Sequence, residues 1–548
     1  MSLPLLVACG GSSGSGSNPP ADSTLRSAQV APFVVQGLRY SGASHSGLSD
    51  AAGHFEYRAG EPVRFSLGSL EFGQFEVDTA FSLINALAGA LPATQEAVMA
   101  ELASLLDVSD LDRVINVFTL LLALDADADP SDGIDLGTLD AEISGITIDV
   151  EQPMHRFLRD PQVHELIAGH GQRIDLNYRE AMLTLYRLIG LEVPAQRVFE
   201  ISETRAGVLQ AVTSLSYDSD NRLREYFVNE HGDEVIEERW TIERVAGSAL
   251  IEREYMTAFP FQSSNPPVTW DSVRTYENGL LNQLTEISAS GTLCYDFEWT
   301  SHRQLAQTSE RNSTCSSPGT GSLKDVLWSY DNRLQLQEQA SLVGTALPQL
   351  QRWQYNSSGL VTRYLEDANF DPAPGAINVN EYSEHYDYTD DQLVLLQQDL
   401  NGDSVAELEL HLAYDTLGKL EQVDIRAAGS GQLLARYSDT FNSFGLVVTS
   451  SVDADGDGQE EYRAEIGRAA NGLIESITEY EYSEGALTST RQTMVSQLST
   501  TVADGLHLIL APEFSFAFDS VIQTHLYGQV ETRPTYPGLY QWFDRSQH

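Results

Sequence analysis

Tyr388-Thr389-Asp390-Asp391-Gln392-Leu393 begins a unit that runs on to Asp399-Leu400-Asn401-Gly402-Asp403 and Glu407. Tyr414-Asp415-Thr416-Leu417-Gly418-Lys419-Leu420 begins the next. Phe441-Asn442-Ser443-Phe444-Gly445-Leu446 begins a third, which reaches Asp453-Ala454-Asp455-Gly456-Asp457 and Glu461. The aromatic anchors are 26 and then 27 residues apart, and a fixed period of that size is the mark of a repeat architecture. More worn copies lie upstream: Tyr217-Asp218 with Asn221-Arg222-Leu223, Tyr276-Glu277-Asn278-Gly279-Leu280, Tyr330-Asp331-Asn332-Arg333-Leu334, and Tyr355-Asn356 with Gly359-Leu360. Asn471-Gly472-Leu473 with Tyr480 and Tyr482 closes the series. An aromatic, then Asp, Asn or Glu, then a Gly or Asn turn and an alternating strand is the grammar of β-hairpins. Residues 205–490 are therefore expected to form β-hairpin repeats with one face of a continuous sheet buried, and 491–548 a closing β segment.

Inside several of these repeats the second turn is acidic. Asp399-x-Asn401-Gly402-Asp403 with Glu407 aligns without a gap on Asp453-x-Asp455-Gly456-Asp457 with Glu461, 54 residues on. Asp367-x-Asn369-x-Asp371 shares the first half, and Asn229-x-His231-Gly232-Asp233 with Glu237 is a weaker version. Oxygen side chains at alternate positions around a sharp bend, followed by a carboxylate, are what a Ca²⁺ loop uses. Neither strong copy completes an EF-hand, since the twelfth positions are Leu410 and Ala464. The alternative is a hydrated Asx/Gly turn, whose backbone Asp and Asn tolerate.

The N-terminal part reads differently. From Phe33 to Phe75, apolar residues alternate between turn residues, as in Gly53-His54-Phe55-Glu56-Tyr57 and Val63-Arg64-Phe65-Ser66-Leu67-Gly68, which predicts a small β-sandwich over 30–80. Residues 81–200 carry apolar residues at three- and four-residue spacing, predicting helices over 81–91, 94–106, 110–124 and 178–191. Ser109 stands as N-cap of the third, with Asp112 in capping-box position. That helix runs into an acidic loop holding Asp125, Asp127, Asp129 and Asp132, a second kind of candidate Ca²⁺ site. Pro130 and Leu136 occupy the positions where an EF-hand needs Gly and Glu, so a plain helix-terminating loop is the rival reading.

The 548-residue chain is 42% hydrophobic and carries 79 acidic against 32 basic residues, a formal charge of −47. It is long enough for about three domains, and its charge would repel a phosphate backbone, which excludes nucleic acid as a partner. Leu6-Val7-Ala8-Cys9, followed by Gly10-Gly11-Ser12-Ser13, resembles the lipobox of bacterial lipoproteins. The resemblance implies acylation of Cys9, a signal remnant over 1–9 and a flexible tether over 10–29. Eight residues before Cys9 are too few for a signal peptide, so the true start is expected upstream. Cys294 and Cys315 are expected to pair in an exported compartment, with two inert thiols as the alternative.

Two further resemblances bear on architecture. Gly37-Leu38-x-Tyr40, Ser49-Asp50-x-x-Gly53-x-Phe55-x-Tyr57-x-x-Gly60 and Val63-x-Phe65-x-Leu67-Gly68, with the helix and acidic loop from Val114 to Ile134, resemble a module common in bacterial surface lipoproteins. The Tyr-Asp and Asn-Arg-Leu or Gly-Leu units over about 205–490 resemble the YD-repeat (RHS) family, which implies a large curled β sheet or shell.

Catalytic signatures are wanting. His164-Glu165 begins like a zincin motif, but the next histidine is His170, six residues on rather than four. Gly10-Gly11-Ser12-Ser13-Gly14 matches Gly-x-Ser-x-Gly only as part of the Gly/Ser tether, and no P-loop or dinucleotide fingerprint occurs. The sequence thus predicts a mainly β protein: a small N-terminal sandwich, a helical segment and a large curled antiparallel β-repeat sheet. Its expected role is non-catalytic surface binding or scaffolding, with Ca²⁺ as stabiliser, a membrane anchor at Cys9, and a carbohydrate or surface protein as partner. The alternative is a polysaccharide-active enzyme with paired carboxylates, which two facing carboxylates in a cleft beside Trp or Tyr would favour.

Overall fold

The computed structural model describes residues 24–503 and 506, apart from 77–79, 88, 128, 158–159, 172–177, 220–222, 230, 232–234, 247–249, 260–266, 313–314, 316–322, 344–347, 369, 371–380 and 473. Cys9, most of the expected tether, Asn369, Asp371, Asp233 and the end of the expected closing segment lie outside the described residues.

The repeats do more than curl. Twenty-two antiparallel strands, each paired with the next, run from Ala195–Arg205 to Ala486–Val502, and these two pair with each other to close a barrel. The sheet therefore begins about ten residues before the expected repeat region and ends about twelve after it, because closure is a pairing between chain ends that no local period encodes.

What the period encodes is curvature. The register shifts at Ser216/Tyr217, Thr275/Tyr276, Ser329/Tyr330, Gln354/Tyr355, Ala413/Tyr414 and Thr440/Phe441, each time at the repeat's aromatic. Such bulges raise the local twist, and twist repeated at regular intervals rolls a sheet into a barrel. Beyond each bulge the Asx residue ties the turn. Asp415 Oδ1 accepts from the amides of Leu417 and Lys419, both at 2.8 Å, and Asn442 Oδ1 from those of Phe444 (2.9 Å) and Leu446 (3.1 Å). The turn needs a left-handed residue, supplied by Gly418 (φ 80°) and Gly445 (φ 66°), whereas the worn copy after Tyr330 forces Leu334 to φ 59°.

The tyrosines fasten one hairpin to another. The hydroxyl of Tyr330 donates to Leu305 O at 2.7 Å, that of Tyr355 to Leu336 O at 2.6 Å, and that of Tyr414 to Leu393 O at 2.8 Å; Tyr217, Tyr276 and Tyr388 do likewise. Tyr414→Phe should therefore strip one half-buried carbonyl of its donor and lower stability by about 1 kcal/mol, readable as a shift of the urea midpoint at unchanged slope.

In an antiparallel barrel successive turns lie at alternate ends, so the Asx turns crowd one mouth and the acidic loops the other. The Asx mouth carries the N-terminal domain. Leu105 N donates to Leu417 O (2.7 Å), Arg156 Nη2 to Asp390 O (3.1 Å) and Leu106 sits over Gly418, while His164 Nδ1 reaches Arg333 O at 2.7 Å and His302 Nε2 reaches Ala168 O at 3.1 Å. The backbone at Gly445 approaches so closely that a Cβ there would stand 2.7 Å from Ala103 O.

In this cap, strands and helices share a single core. Phe55, Phe65 and Phe81 from the small sheets pack with Leu111, Ile115, Phe118 and Leu121 of the helix Asp110–Leu124, and with Leu166 and Leu185. The sheets are three-stranded (His54–Arg58, Leu25–Ala31, Ala80–Ser82) and four-stranded (Ser46–Leu48, Arg39–Ser41, Pro62–Leu67, Leu70–Glu76). Leu25–Ala31 lies where a tether was expected to reach residue 29, and its buried Ala28 and Val30 explain why it pairs instead. The capping box of Ser109 and Asp112 is formed as expected. Helices Met154–Phe157 and Pro161–His170 went unseen in the sequence, being too short to show a period.

Candidate functional sites on the barrel

The two strong acidic loops occupy the mouth opposite the N-terminal domain, and their geometry is nearly superposable in hydrogen bonding. Asp399 and Asp453 are the last residues of the strands Gln392–Asp399 and Val447–Asp453, only 6% and 7% exposed. Asp399 Oδ1 accepts from Gly402 N (2.7 Å) and Oδ2 from Ser404 N (2.8 Å). Asp453 accepts in the same way from Gly456 N (2.7 Å) and Gly458 N (2.9 Å). Each loop is closed by its glutamate, Glu407 taking Leu400 N (2.7 Å) and Glu461 taking Ala454 N (2.6 Å).

Carboxylate oxygens of Asp399, Asp403 and Glu407 lie within 4.8 Å of one another, and so do those of Asp453, Asp455 and Glu461. Asn401 Nδ2 donates to Glu407, a member of its trio, whereas Asp457, which accepts from Gln459 N at 2.8 Å, is not among the trio of Asp453, Asp455 and Glu461. An all-oxygen trio with one rigid, buried member suits a hard cation such as Ca²⁺. The weaker copy offers Glu237, which contacts His231 Nδ1 at 3.3 Å. Asp125, Asp127, Asp129 and Asp132 lie in the cap, not on this rim; Asp125 is the C-cap of the helix Asp110–Leu124, and the other three are exposed. Cys294 and Cys315 form the expected disulfide, with Cα atoms 5.5 Å apart.

The barrel wall is uneven. Trp353, Tyr364, Tyr386, Leu396, Leu410, Val423, Tyr437 and Val452 fill the inside of its later half, while among the described hydrophobic residues between Ile201 and Leu350 only Cys294 is buried. In that emptier half Tyr226, Trp240, Met256 and Trp270 are register partners on four successive strands. Tyr226 and Trp240 stack with centroids 5.6 Å apart and planes at 10°, and Trp270 lies 5.6 Å beyond Trp240. They share the sheet face of Tyr276, the counterpart of Tyr388, whose strand turns Glu384 and Tyr386 into the core, so the row faces inward. All four are partly exposed. Glu238 accepts from Trp240 Nε1 at 3.1 Å, and Glu254 pairs with Arg274 at 3.3 Å beside the row. None of these residues belongs to a repeat motif, and only the strand register, invisible in sequence, aligns them.

The outer face is ionic. Asp271 receives Arg253 Nε at 2.9 Å and Nη2 at 2.8 Å, and Asp424 lies under Arg426 and Arg436. Hydrogen bonds from Arg436, opposed by partial burial, hold the Asp424 carboxyl below the usual range.

Paired carboxylates do occur inside the wall. Glu366 stands opposite Tyr382 and Glu384 opposite Tyr364 on adjacent strands. Glu384 is 1% exposed, and its oxygens accept from Tyr382, Tyr386 and Gln398. The pair thus braces the core rather than lining a cleft. His164 and His170 serve separate partners, Arg333 O and Glu142.

No protein-family model and no curated protein matches this chain. Among solved structures, the Photorhabdus luminescens Tc holotoxin pore is 12% identical over 60% of this chain and 22% of that one, with TM-score 0.22. A TcdB2–TccC3 complex is 12% identical over 53% and 20%, with TM-score 0.17. A porin-like protein from Bacteroides uniformis is 10% identical over 55% of this chain and 98% of its own, with TM-score 0.21. This chain spans about a fifth of the toxin chains it matches. At such scores the function has to be argued from this chain's own residues.

Proposed function

We propose that this protein is a non-catalytic scaffold of the bacterial cell envelope that binds neutral polysaccharide on its inner barrel wall. The observation that carries the reading is the row Tyr226, Trp240, Met256 and Trp270, whose stacked, partly exposed rings offer a flat apolar platform a few sugar units long. Aromatic faces give sugar rings apolar contact, and Glu238, Glu254 and Arg274 beside them supply hydrogen-bonding groups for hydroxyls. The charge of −47 disfavours an anionic glycan.

The other parts follow the sequence expectations. The YD-like repeats build the shell, Ca²⁺ in the rim loops stiffens the mouth that carries them, and Cys9 anchors the chain by lipid. An outer face of ion pairs such as Arg253–Asp271 suits water, not the apolar band of a membrane-spanning barrel.

The test is affinity electrophoresis of the intact chain in gels containing β-glucan, xylan or mannan. At least one should retard the wild type, and Trp240→Ala with Trp270→Ala should weaken that binding about tenfold or more, with the thermal midpoint as a check on folding. Retardation unchanged in a folded double variant would overturn the platform, and no retardation in any neutral glycan would overturn the reading.

A further inference from the structure

The acidic loop of the cap plays no part in that reading, yet it holds a carboxylate buried at the end of a helix. Asp125 ends the helix Asp110–Leu124 and is 0% exposed. Its Oδ1 accepts from Asp135 N at 2.9 Å, while Oδ2 is buried without any hydrogen-bond partner. A buried carboxylate oxygen left unpaired is costly. Its surroundings add to the cost, because it sits at the negative end of a fifteen-residue helix with no basic residue in its last turn. Burial, helped by the charges of Asp127, Asp132 and Asp135 and opposed by the Asp135 amide, pushes the Asp125 carboxyl up to about 6. Four carboxylates and a helix C-terminus thus converge where the sequence offers no cation.

We propose that the cap binds one Ca²⁺ ion through Asp125 Oδ2, with Asp127, Asp132 and Asp135 completing the oxygen shell. Asp129, an expected ligand, is set aside: the Ser131 side chain hydrogen-bonds it and Ser131 N donates to its Oδ1 at 3.0 Å, and together they hold its carboxyl below the usual range. The donors are all hard oxygens, which selects Ca²⁺ over zinc or copper. Two of them are rigid. Asp125 is fixed by the helix, and Asp135 by the parallel pairing of Ile134–Asp135 with Val35–Gln36. Asp127, whose Oδ1 accepts from Asp129 N at 2.9 Å, and Asp132 are both exposed, so the ion would draw their carboxylates down onto the seam between helix and strand. Its effect is structural: it joins the end of the cap's central helix to the strand that follows the loop. The wider loop here differs from the rim, where the trios are already gathered within 4.8 Å.

Equilibrium dialysis of the full chain against Ca²⁺ alone tests this. A rim-stripped protein carrying Asp399→Asn and Asp453→Asn should retain one bound Ca²⁺, and adding Asp125→Asn should abolish it. Asp125→Asn could unfold the cap, so Asp127→Asn with Asp132→Asn, both at exposed positions, serves as second variant; it should weaken the residual site about tenfold or more. The proposal is overturned if the rim-stripped protein binds no Ca²⁺, or if its bound ion is indifferent to the Asp127/Asp132 pair. Calcium at the rim fails separately, by the wild type binding no more Ca²⁺ than the rim-stripped variant.

Discussion

Replacing Tyr364 by alanine should lower the unfolding free energy of the barrel by about 3–5 kcal/mol, the range for deleting a large buried aromatic. Tyr364 is 0% exposed, its ring centroid lies 5.5 Å from that of Trp353 and 6.1 Å from that of Tyr382, and its hydroxyl donates to Glu366 at 3.1 Å. Removal leaves a ring-sized hole between strands that are hydrogen-bonded on both sides and cannot collapse into it. It also costs Glu366 a donor and takes away the neighbour that stands opposite the buried Glu384. The readout can be made specific to the barrel. Trp240, Trp270, Trp299, Trp328 and Trp353 all lie on barrel strands and residues 24–194 contain no tryptophan. In a Trp542→Phe background, which removes the sixth tryptophan, indole fluorescence follows the barrel while the cap, with its own core, unfolds on its own terms. A fluorescence midpoint that moves by less than about 1 kcal/mol would mean the later half of the wall is not packed as described.

The same side chain shows how unevenly the sequence discloses this molecule. Tyr355, Tyr388 and Tyr414 were legible as repeat anchors because each must do three things in one place: end a strand, follow a bulge and reach a neighbouring carbonyl. A job tied to a local turn leaves a local signature. Tyr364 and Trp240 have no such turn beside them, and their importance comes from partners 14 to 20 residues away that only strand register brings opposite, Glu384 for one and Tyr226 for the other. Closure was illegible for the same reason, as Ala195–Arg205 meets Ala486–Val502 across nearly the whole repeat region. The acidic loops lie between these cases. Their Asp-x-Asp/Asn-Gly-Asp pattern located the bend correctly, but the pattern could not tell which acid would join each trio, Asp403 in one loop and Asp455 in the other. The cap's acidic loop shows the reverse. Its spacing named Asp125, but Asp135, ten residues on, entered only through the parallel pairing of Ile134–Asp135 with Val35–Gln36.

Calcium should raise the thermal stability of the barrel by about 5 kcal/mol when both rim loops are filled. A ligand that binds only the folded state stabilises it by about 2.7 kcal/mol at a hundred times its Kd, and the two trios are separate sites. For a barrel of this size that is a rise in melting temperature on the order of 10 °C between EDTA and millimolar Ca²⁺. The effect should concentrate at the mouth that carries the acidic loops, because the loops are tied to their neighbours. Ala428 N donates to Glu407 O at 2.8 Å and Tyr482 N to Glu461 O at 2.8 Å, so each filled loop also steadies the adjoining hairpin. The Asp453 loop should bind the tighter of the two. It places Gly458 (φ 89°) where the Asp399 loop must hold Ser404 at φ 68°, so it reaches the binding shape with less backbone strain. Asp453→Asn should accordingly remove more of the Ca²⁺-dependent rise than Asp399→Asn, and the double variant should melt alike in Ca²⁺ and EDTA when followed by tryptophan fluorescence. Mg²⁺, which resists dehydration and demands tighter octahedral geometry, should give much less of the rise. If wild-type fluorescence melts at the same temperature in EDTA and in millimolar Ca²⁺, the rim loops are hydrated Asx turns and the acidity of this mouth serves solubility alone.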